Sequence, residues 1–320
     1  MNTMKWLVKR EFWEHKGGFF WTPAVIGALM TLILGITMIA AVYFGSKHGI
    51  HINGAQVTNL AEVVDAQERA EMITAIANGY MGTAAPLFMV MGFVVFFFCL
   101  GCLYDERKDR SVLFWKSLPV SDGETVLAKV ATALVLAPLI TLAFATITGL
   151  MSLLFICLAA AIGGVNVFGG VLATAATWLA PFQIASIIPV YVLWALPTVG
   201  WLMMVSAWAR TKPFLWAVGV PVLTGALLSW FNAMFDFGWN ISWFWQNIVA
   251  RGLLSVAPGS WFAFFDADFG ANVGPDNANL MMLVGQSWSA LTRANIWIGA
   301  VLGSAMIYAA IRLRRWKDEG

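Results

Sequence analysis

Six apolar stretches of membrane-spanning length alternate with polar segments along this chain, at about 21–44, 84–103, 130–158, 183–208, 214–234 and 294–311. A helix crosses the hydrocarbon core in about 20 residues. The runs are continuous and rich in Leu, Ala, Val and Phe, without the alternation of a β-barrel strand. A lipid-exposed backbone must satisfy its own hydrogen bonds, so helices are predicted throughout. The expected fold is an all-α polytopic membrane protein, with residues 1–320 forming a single transmembrane domain of six spans. The first stretch exceeds the ~7–15 apolar residues of a signal peptide, and no A-x-A-like site follows it. The fourth is the least regular. Between Leu158 and Ile184, a Gly-rich segment from Gly163 to Gly170 precedes an apolar stretch ending at Pro181, and 165–181 reads as a loop with an interfacial or re-entrant helix.

Charge then orients these spans. Only 11 % of residues are charged, against 60 % hydrophobic, with a mean hydropathy of +0.77. About 25 % charged residues is usual for a soluble domain. Of the 19 Lys and Arg, fifteen lie in the N-terminal segment, the 104–129 loop, the 209–213 loop and the tail after Ile311. The other side holds Lys47, Arg69, Arg251 and Arg293. The basic side is the cytoplasmic one, so both termini are expected inside. Acidic residues and His15, His48 and His51 also fall outside the spans, which leaves no ionisable group near a span centre. An ion-coupled carrier usually needs one at membrane depth, and the energy source is therefore expected outside this polypeptide. The outer loops are 46–83 and 235–292; Leu60–Ala77 has helical spacing, with Glu62, Asp65, Glu68, Arg69 and Glu71 on its wet face.

The cytoplasmic loop 104–124 carries the most chemistry. A charged run from Tyr104 through Glu106, Arg107, Lys108 and Arg110 leads into Val112, Leu113, Phe114, Trp115, Lys116 and Leu118, and Pro119 stops it. Ser121-x-x-Glu124 is a capping box that restarts a helix feeding the third span. An apolar patch framed by charge suits protein docking, although an interfacial helix anchored by Trp115 and Lys116 at the lipid headgroups is the other reading.

The run Glu106-Arg-Lys-x-x-Ser-x-x-x-x-Lys-Ser-Leu-Pro119-Val-Ser121, with Lys129 at the third span, resembles the membrane subunits of ABC-2 type exporters. Ser111 departs from the Gly-Thr pair often seen there. The resemblance implies that 104–124 is a coupling helix docking on a separate ATPase subunit through Glu106, Arg107, Lys108, Arg110, Phe114, Trp115, Lys116, Pro119 and Ser121. It also implies an amphipathic elbow over 1–18. There Met4, Val8 and Phe12 share i, i+4 spacing, and Lys5, Lys9, Arg10 and Lys16 are available to lipid phosphates beside Trp6 and Trp13. In such exporters short re-entrant helices in the last outer loop cap the path, which makes Trp243, Trp245, Trp261 and Phe264 candidate substrate or gate residues; an interfacial aromatic belt explains them equally simply. The implied function is the permease of an ATP-driven exporter of hydrophobic or amphipathic substrates in a bacterial inner membrane. Its partners would be the ATPase subunit, a second copy or related permease, and lipid, but no nucleic acid. An ATP-independent carrier or channel and a non-transporting assembly factor are the alternatives.

Several chemistries are excluded or discounted. The chain has no Gly-Lys dipeptide, hence no Walker A loop, so ATP and Mg would be bound by the partner and no cofactor by this chain. It has no H-E-x-x-H or G-x-S-x-G, and no catalytic residues are assigned. Cys99 and Cys102 have C-x-x-C spacing inside an apolar run, which suits helix packing rather than redox or metal chemistry. Asp266-x-Asp268 lacks the spacing and terminal Glu of a calcium loop. No metal site is expected. Pro138, Pro189, Pro197 and Pro221 lie inside spans, where proline is commonly tolerated.

Overall fold

Apolar runs without internal charge can satisfy their backbone in lipid only as helices, and the computed structural model is built almost wholly of them. It describes residues 3–48, 50–52, 55–57, 64–109, 120–265 and 280–317. In chain order the elements are α1 (Thr3–Glu14), α2 (Thr22–His48), a short antiparallel ladder of β1 (Ile50–Ile52) and β2 (Ala55–Val57), α3 (Ala66–Gly79), α4 (Ala85–Gly101), α5 (Tyr104–Lys108), α6 (Asp122–Ala131), α7 (Ala137–Ile162), α8 (Phe168–Ala173) and α9 (Ala175–Trp208). There follow α10 (Val220–Phe235), α11 (Ile241–Phe244), α12 (Arg251–Leu254), α13 (Ser260–Phe265), α14 (Leu280–Ser289) and α15 (Ala294–Lys317). Six helical segments are long and apolar enough to cross a membrane: Gly17–Gly45, Ala66–Lys108, Asp122–Ile162, Ala175–Trp208, Leu215–Phe235 and Ala294–Trp316. Their outward faces keep large apolar side chains uncovered, such as Ile39 at 71 % and Phe182 at 72 % exposure, as lipid-facing surfaces do.

The fourth of these segments departs from expectation. Helix α9 begins at Ala175, not near 183, and runs 34 residues through Pro181, Pro189 and Pro197. The last part of the stretch expected to be a loop or re-entrant helix, from Ala175 to Pro181, is thus the first turns of α9, and the part before it holds the short separate helix α8. The capping-box expectation at Ser121 holds: its Oγ accepts from the Glu124 amide while the Glu124 carboxylate accepts from the Ser121 amide. Within the helix expected over 60–77, α3 begins at Ala66, capped by Asp65 in the same reciprocal way with Glu68, and residues 60–63 lie outside the described residues.

Prolines are accommodated by a repeated device. Widened π-turns cover Gly17–Trp21, Thr132–Leu136 and Leu215–Gly219, and each is followed two residues later by a proline, Pro23, Pro138 and Pro221. A proline cannot donate and its ring crowds the carbonyl four residues back; a π-turn widens the helix there and relieves the clash.

The most extensive helix–helix contact joins α9 to α15. Gly200 and Gly303 let the two backbones touch: a Cβ at Gly200 would land on the Gly303 carbonyl, and one at Gly303 on the Leu196 carbonyl. Close approach through small residues is the usual source of packing energy between helices in lipid, where no hydrophobic effect drives association. The core around this seam gathers Val95, Phe98, Tyr191, Trp194, Leu202 and Ile296.

Candidate functional site

Two regions concentrate polar chemistry: one at the charged end of the bundle, and one where the segment 240–265 folds back into it.

At the charged end, α1, α5, α6 and the end of α15 meet in a buried ion cluster. Lys129 Nζ lies 2.7 Å from Glu11 Oε2 and 2.9 Å from Glu106 Oε1. Arg314 Nη1 lies 2.7 Å from Glu106 Oε2, and its Nε 3.2 Å from Asp122 Oδ1. Arg10 Nη2 closes the cluster at 3.1 Å from Glu106 and 3.3 Å from Glu11. Glu11, Lys129, Glu106 and Arg314 are all buried. Taking such charges from water costs several kcal/mol each, an outlay offset only when every charge has partners at good geometry. Glu11, Glu106 and Asp122 face Lys129, Arg10 and Arg314 here, with the exposed Glu14 at the edge on Arg10, so the buried charges are close to balanced. Glu14 and His15 lie near Glu11 in a metal-like grouping, but Glu11 is already held by Lys129 and Glu14 by Arg10.

This geometry turns two of the expected docking residues inward. Glu106 points inward and is 5 % exposed, so it braces the bundle and presents nothing to a partner. Its neighbour Arg107 also turns inward, donating to the carbonyls of Ser206 and Ala209, while the Ser206 hydroxyl accepts from the amides of Leu103 and Tyr104. Lys108 and Ser121 are exposed. Arg110, Phe114, Trp115, Lys116 and Pro119 lie outside the described residues, as do Asp266 and Asp268.

Helix α1 buries Leu7 and Glu11, half-buries Met4, Val8 and Phe12, and leaves Lys5, Trp6, Lys9 and Trp13 exposed. Lys9 sits 5.1 Å above the Trp6 ring and Lys16 4.9 Å above that of Trp13. Arg10, expected among the surface cations, instead joins the ion cluster.

The second region starts where α10 ends. From Asn240 the chain runs as one helical limb through α11, a π-turn (Trp245–Ala250) and α12; it turns over 255–259 and leaves through α13. Gly259 has a φ of +80°, a conformation that favours glycine. The limb reaches deep: the Thr198 hydroxyl donates to the Arg251 carbonyl at 3.1 Å. Thr198 lies ten residues before the end of α9, or about 15 Å at 1.5 Å per residue. The turn then packs between α9 and α4: on α9 the Tyr191 hydroxyl donates to the Val256 carbonyl at 3.2 Å. A Cβ at Gly92 would come within 3.2 Å of Val256 O and Ala257 Cα. Gly92 is the eighth of the 17 residues of α4, and Tyr191 the seventeenth of the 34 of α9. The turn is therefore seated at the mid-length of two long helices.

The four aromatic candidates separate onto the two limbs. Trp243 is exposed; Trp245 packs on Gly225, and its Nε1 donates to Ser229 Oγ at 3.0 Å. On the return limb, Trp261 is buried and donates to Ser287 Oγ at 3.2 Å, while the Phe264 ring lies 5.5 Å from that of Trp194. They do not converge on one gate. Each limb borders its own cavity: about 520 Å³ beside Met91, Leu142, Tyr191, Pro258 and Trp261, and about 480 Å³ beside Trp201, Trp243 and Arg251. Both fall in the ~300–1,000 Å³ range of small-molecule sites.

Sequence reasoning missed the ion cluster and Arg251. The Lys129–Glu11 and Arg314–Glu106 partners are 118 and 208 residues apart, and no local pattern joins them. The apolar neighbourhood of Arg251 within a nominal loop was the available signal. Comparison with family models, with curated proteins and with solved structures returns no match.

Proposed function

We propose that this chain is the permease subunit of an ATP-driven exporter, working as a dimer with itself or a related permease and driven by a separate ATPase subunit. In this reading the charged end faces the cytoplasm of a bacterium, in keeping with the Lys and Arg bias, and α1 lies along the inner-membrane surface as an elbow. The ATPase docks on the loop between α5 and α6. ATP and Mg are bound there by the partner, and this chain holds no catalytic residue.

The observation that carries the reading is the ion cluster. Glu106 closes the element entering the loop, Lys129 lies in the helix leaving it, and Glu11 and Arg314 tie both to α1 and α15. A push on the loop would reach four helices at once, which suits a two-state rocking of packed helices. The apolar cavities at the re-entrant segment suit a hydrophobic or amphipathic cargo. The test is to co-express the chain with a candidate ATPase subunit and substitute Phe114, Trp115 and Lys116 by Ala. Loss of co-purification and of stimulated ATP hydrolysis is expected; undiminished coupling in all three would sink the docking assignment.

A second reading, an ATP-independent carrier, gains one support from Arg251, an ionisable side chain at membrane depth. Substrate flux by this chain alone in liposomes without ATP would favour it.

A further inference from the structure

Arg251 is 9 % exposed and has no acidic partner among the described residues. Its Nη2 donates to the Asn295 carbonyl, its buried Nε has no acceptor among the described residues, and its guanidinium lies 4.7 Å above the Trp194 ring. Gly299 keeps the space clear, since a Cβ there would fall on the guanidinium. An arginine keeps its proton even when buried, so an uncompensated positive charge stands inside the bundle. One carbonyl and one aromatic face offset part of its cost, and the remaining donor capacity is unspent.

That charge borders the 480 Å³ cavity together with Asn247, Asn295, Trp243, Ile298 and Leu302. The two amides and the guanidinium bring donors to the lining, one Asn247 N–H being already given to the Trp243 carbonyl at 3.1 Å. Beside them in the same lining, Trp243, Ile298 and Leu302 are exposed and apolar. Ile298 and Leu302 are exposed and belong to a segment long and apolar enough to cross a membrane, where lipid chains can reach them.

We propose that this cavity binds an amphipathic anion. Its carboxylate or phosphate head is held by Arg251, Asn247 and Asn295, and its hydrocarbon chain runs past Ile298 and Leu302 into the bilayer. A guanidinium presents paired donors that match either head group, and a small inorganic anion would leave the apolar wall unfilled. The site stands apart from the ATP-driven reading, because binding is measured on this chain alone while that reading is tested by ATPase coupling.

Native mass spectrometry of the purified full chain tests the site, with oleate, dioleoyl phosphatidylglycerol and dioleoyl phosphatidylcholine as separate probes. At least one anionic probe should bind about tenfold more tightly than the zwitterionic one, the order expected for a charge-assisted hydrogen bond. Preference for oleate identifies a carboxylate head and preference for phosphatidylglycerol a phosphate head; either supports the site. Arg251→Gln should erase the preference. Leu302→Trp, which fills the cavity without touching Arg251, should weaken the anionic probe and guards against an Arg251 variant that fails to fold. Arg210→Gln with Lys212→Gln, on the exposed turn after α9, should change nothing. The site is overturned if the preference survives Arg251→Gln and Leu302→Trp, or disappears instead with the Arg210 and Lys212 pair. It is equally overturned if no anionic probe binds preferentially, or if Leu302→Trp breaks a dimer while leaving lipid binding unchanged.

Discussion

Lys129 and Glu11 stand 2.7 Å apart, each 1 % exposed, and so join the first helix of the chain to the third membrane-crossing segment through one buried ion pair. Replacing Lys129 by Met leaves Glu11 and Glu106 sharing a buried site with less positive charge. Breaking a buried pair in this way costs about 3–5 kcal/mol, whereas removing both partners is often close to neutral. The melting temperature of the detergent-solubilised protein should fall sharply in Lys129→Met and recover much of that loss in Lys129→Met/Glu11→Gln. Additive losses would show that the two side chains do not act as a pair.

The seam between α9 and α15 depends on the absence of a side chain. Gly303→Ala places a methyl group against the Leu196 carbonyl, and no flexible side chain is there to give way. Overpacking of this kind costs about 1–3 kcal/mol. Gly169→Ala, in open space on α8, should instead be neutral or stabilising by up to about 1 kcal/mol. Thermal melts of the two variants side by side decide the matter.

Tyr191 ties the turn at 255–259 through its hydroxyl, beside the packing of Gly92 against it. Tyr191→Phe leaves the Val256 carbonyl buried without that donor, at a cost of about 1–3 kcal/mol. Hydrogen exchange should rise over 255–259 while staying unchanged at the α9–α15 seam. Uniform loosening of both regions would count against a local tether.

Depth can be read chemically. Cys99, Cys102 and Cys157 are free and buried, and should resist a membrane-impermeant maleimide until the protein is unfolded. In a background with these three replaced by Ala, Val256→Cys should also resist, whereas exposed Ser242→Cys should react within the usual labelling time. Labelling of Val256→Cys at the rate of Ser242→Cys would place the turn at the surface.

These features differ in how far they could be read from residue order, and the difference is physical. The six spans and the Ser121 cap follow from neighbours in sequence, because hydropathy and capping act over one or a few turns. The start of α9 at Ala175 could not be read in that way: Pro181, Pro189 and Pro197 suggest interruption, yet neighbouring helices sustain the helix through all three. Glu106 shows the same limit in the candidate site. Its charged surroundings at 104–110 suggest a wet surface, and only the arrival of Lys129 and Arg314 turns it inward. Arg251 reads as one of few basic residues in a long loop until Thr198 and Trp194 fix its depth.

The ion cluster also imposes an order on biogenesis. Glu11, Glu106 and Lys129 are synthesised early, but Arg314 emerges some 185 residues after Lys129 and belongs to the sixth apolar segment. Until then Glu106 and Asp122 lack a cation they will keep, and the first helices can rest only in a provisional, hydrated arrangement. A ribosome stalled before α15 would hold a chain whose charged end is still open and accessible to quality-control proteases. Closure of that end thus reports that the sixth apolar segment has joined the first three.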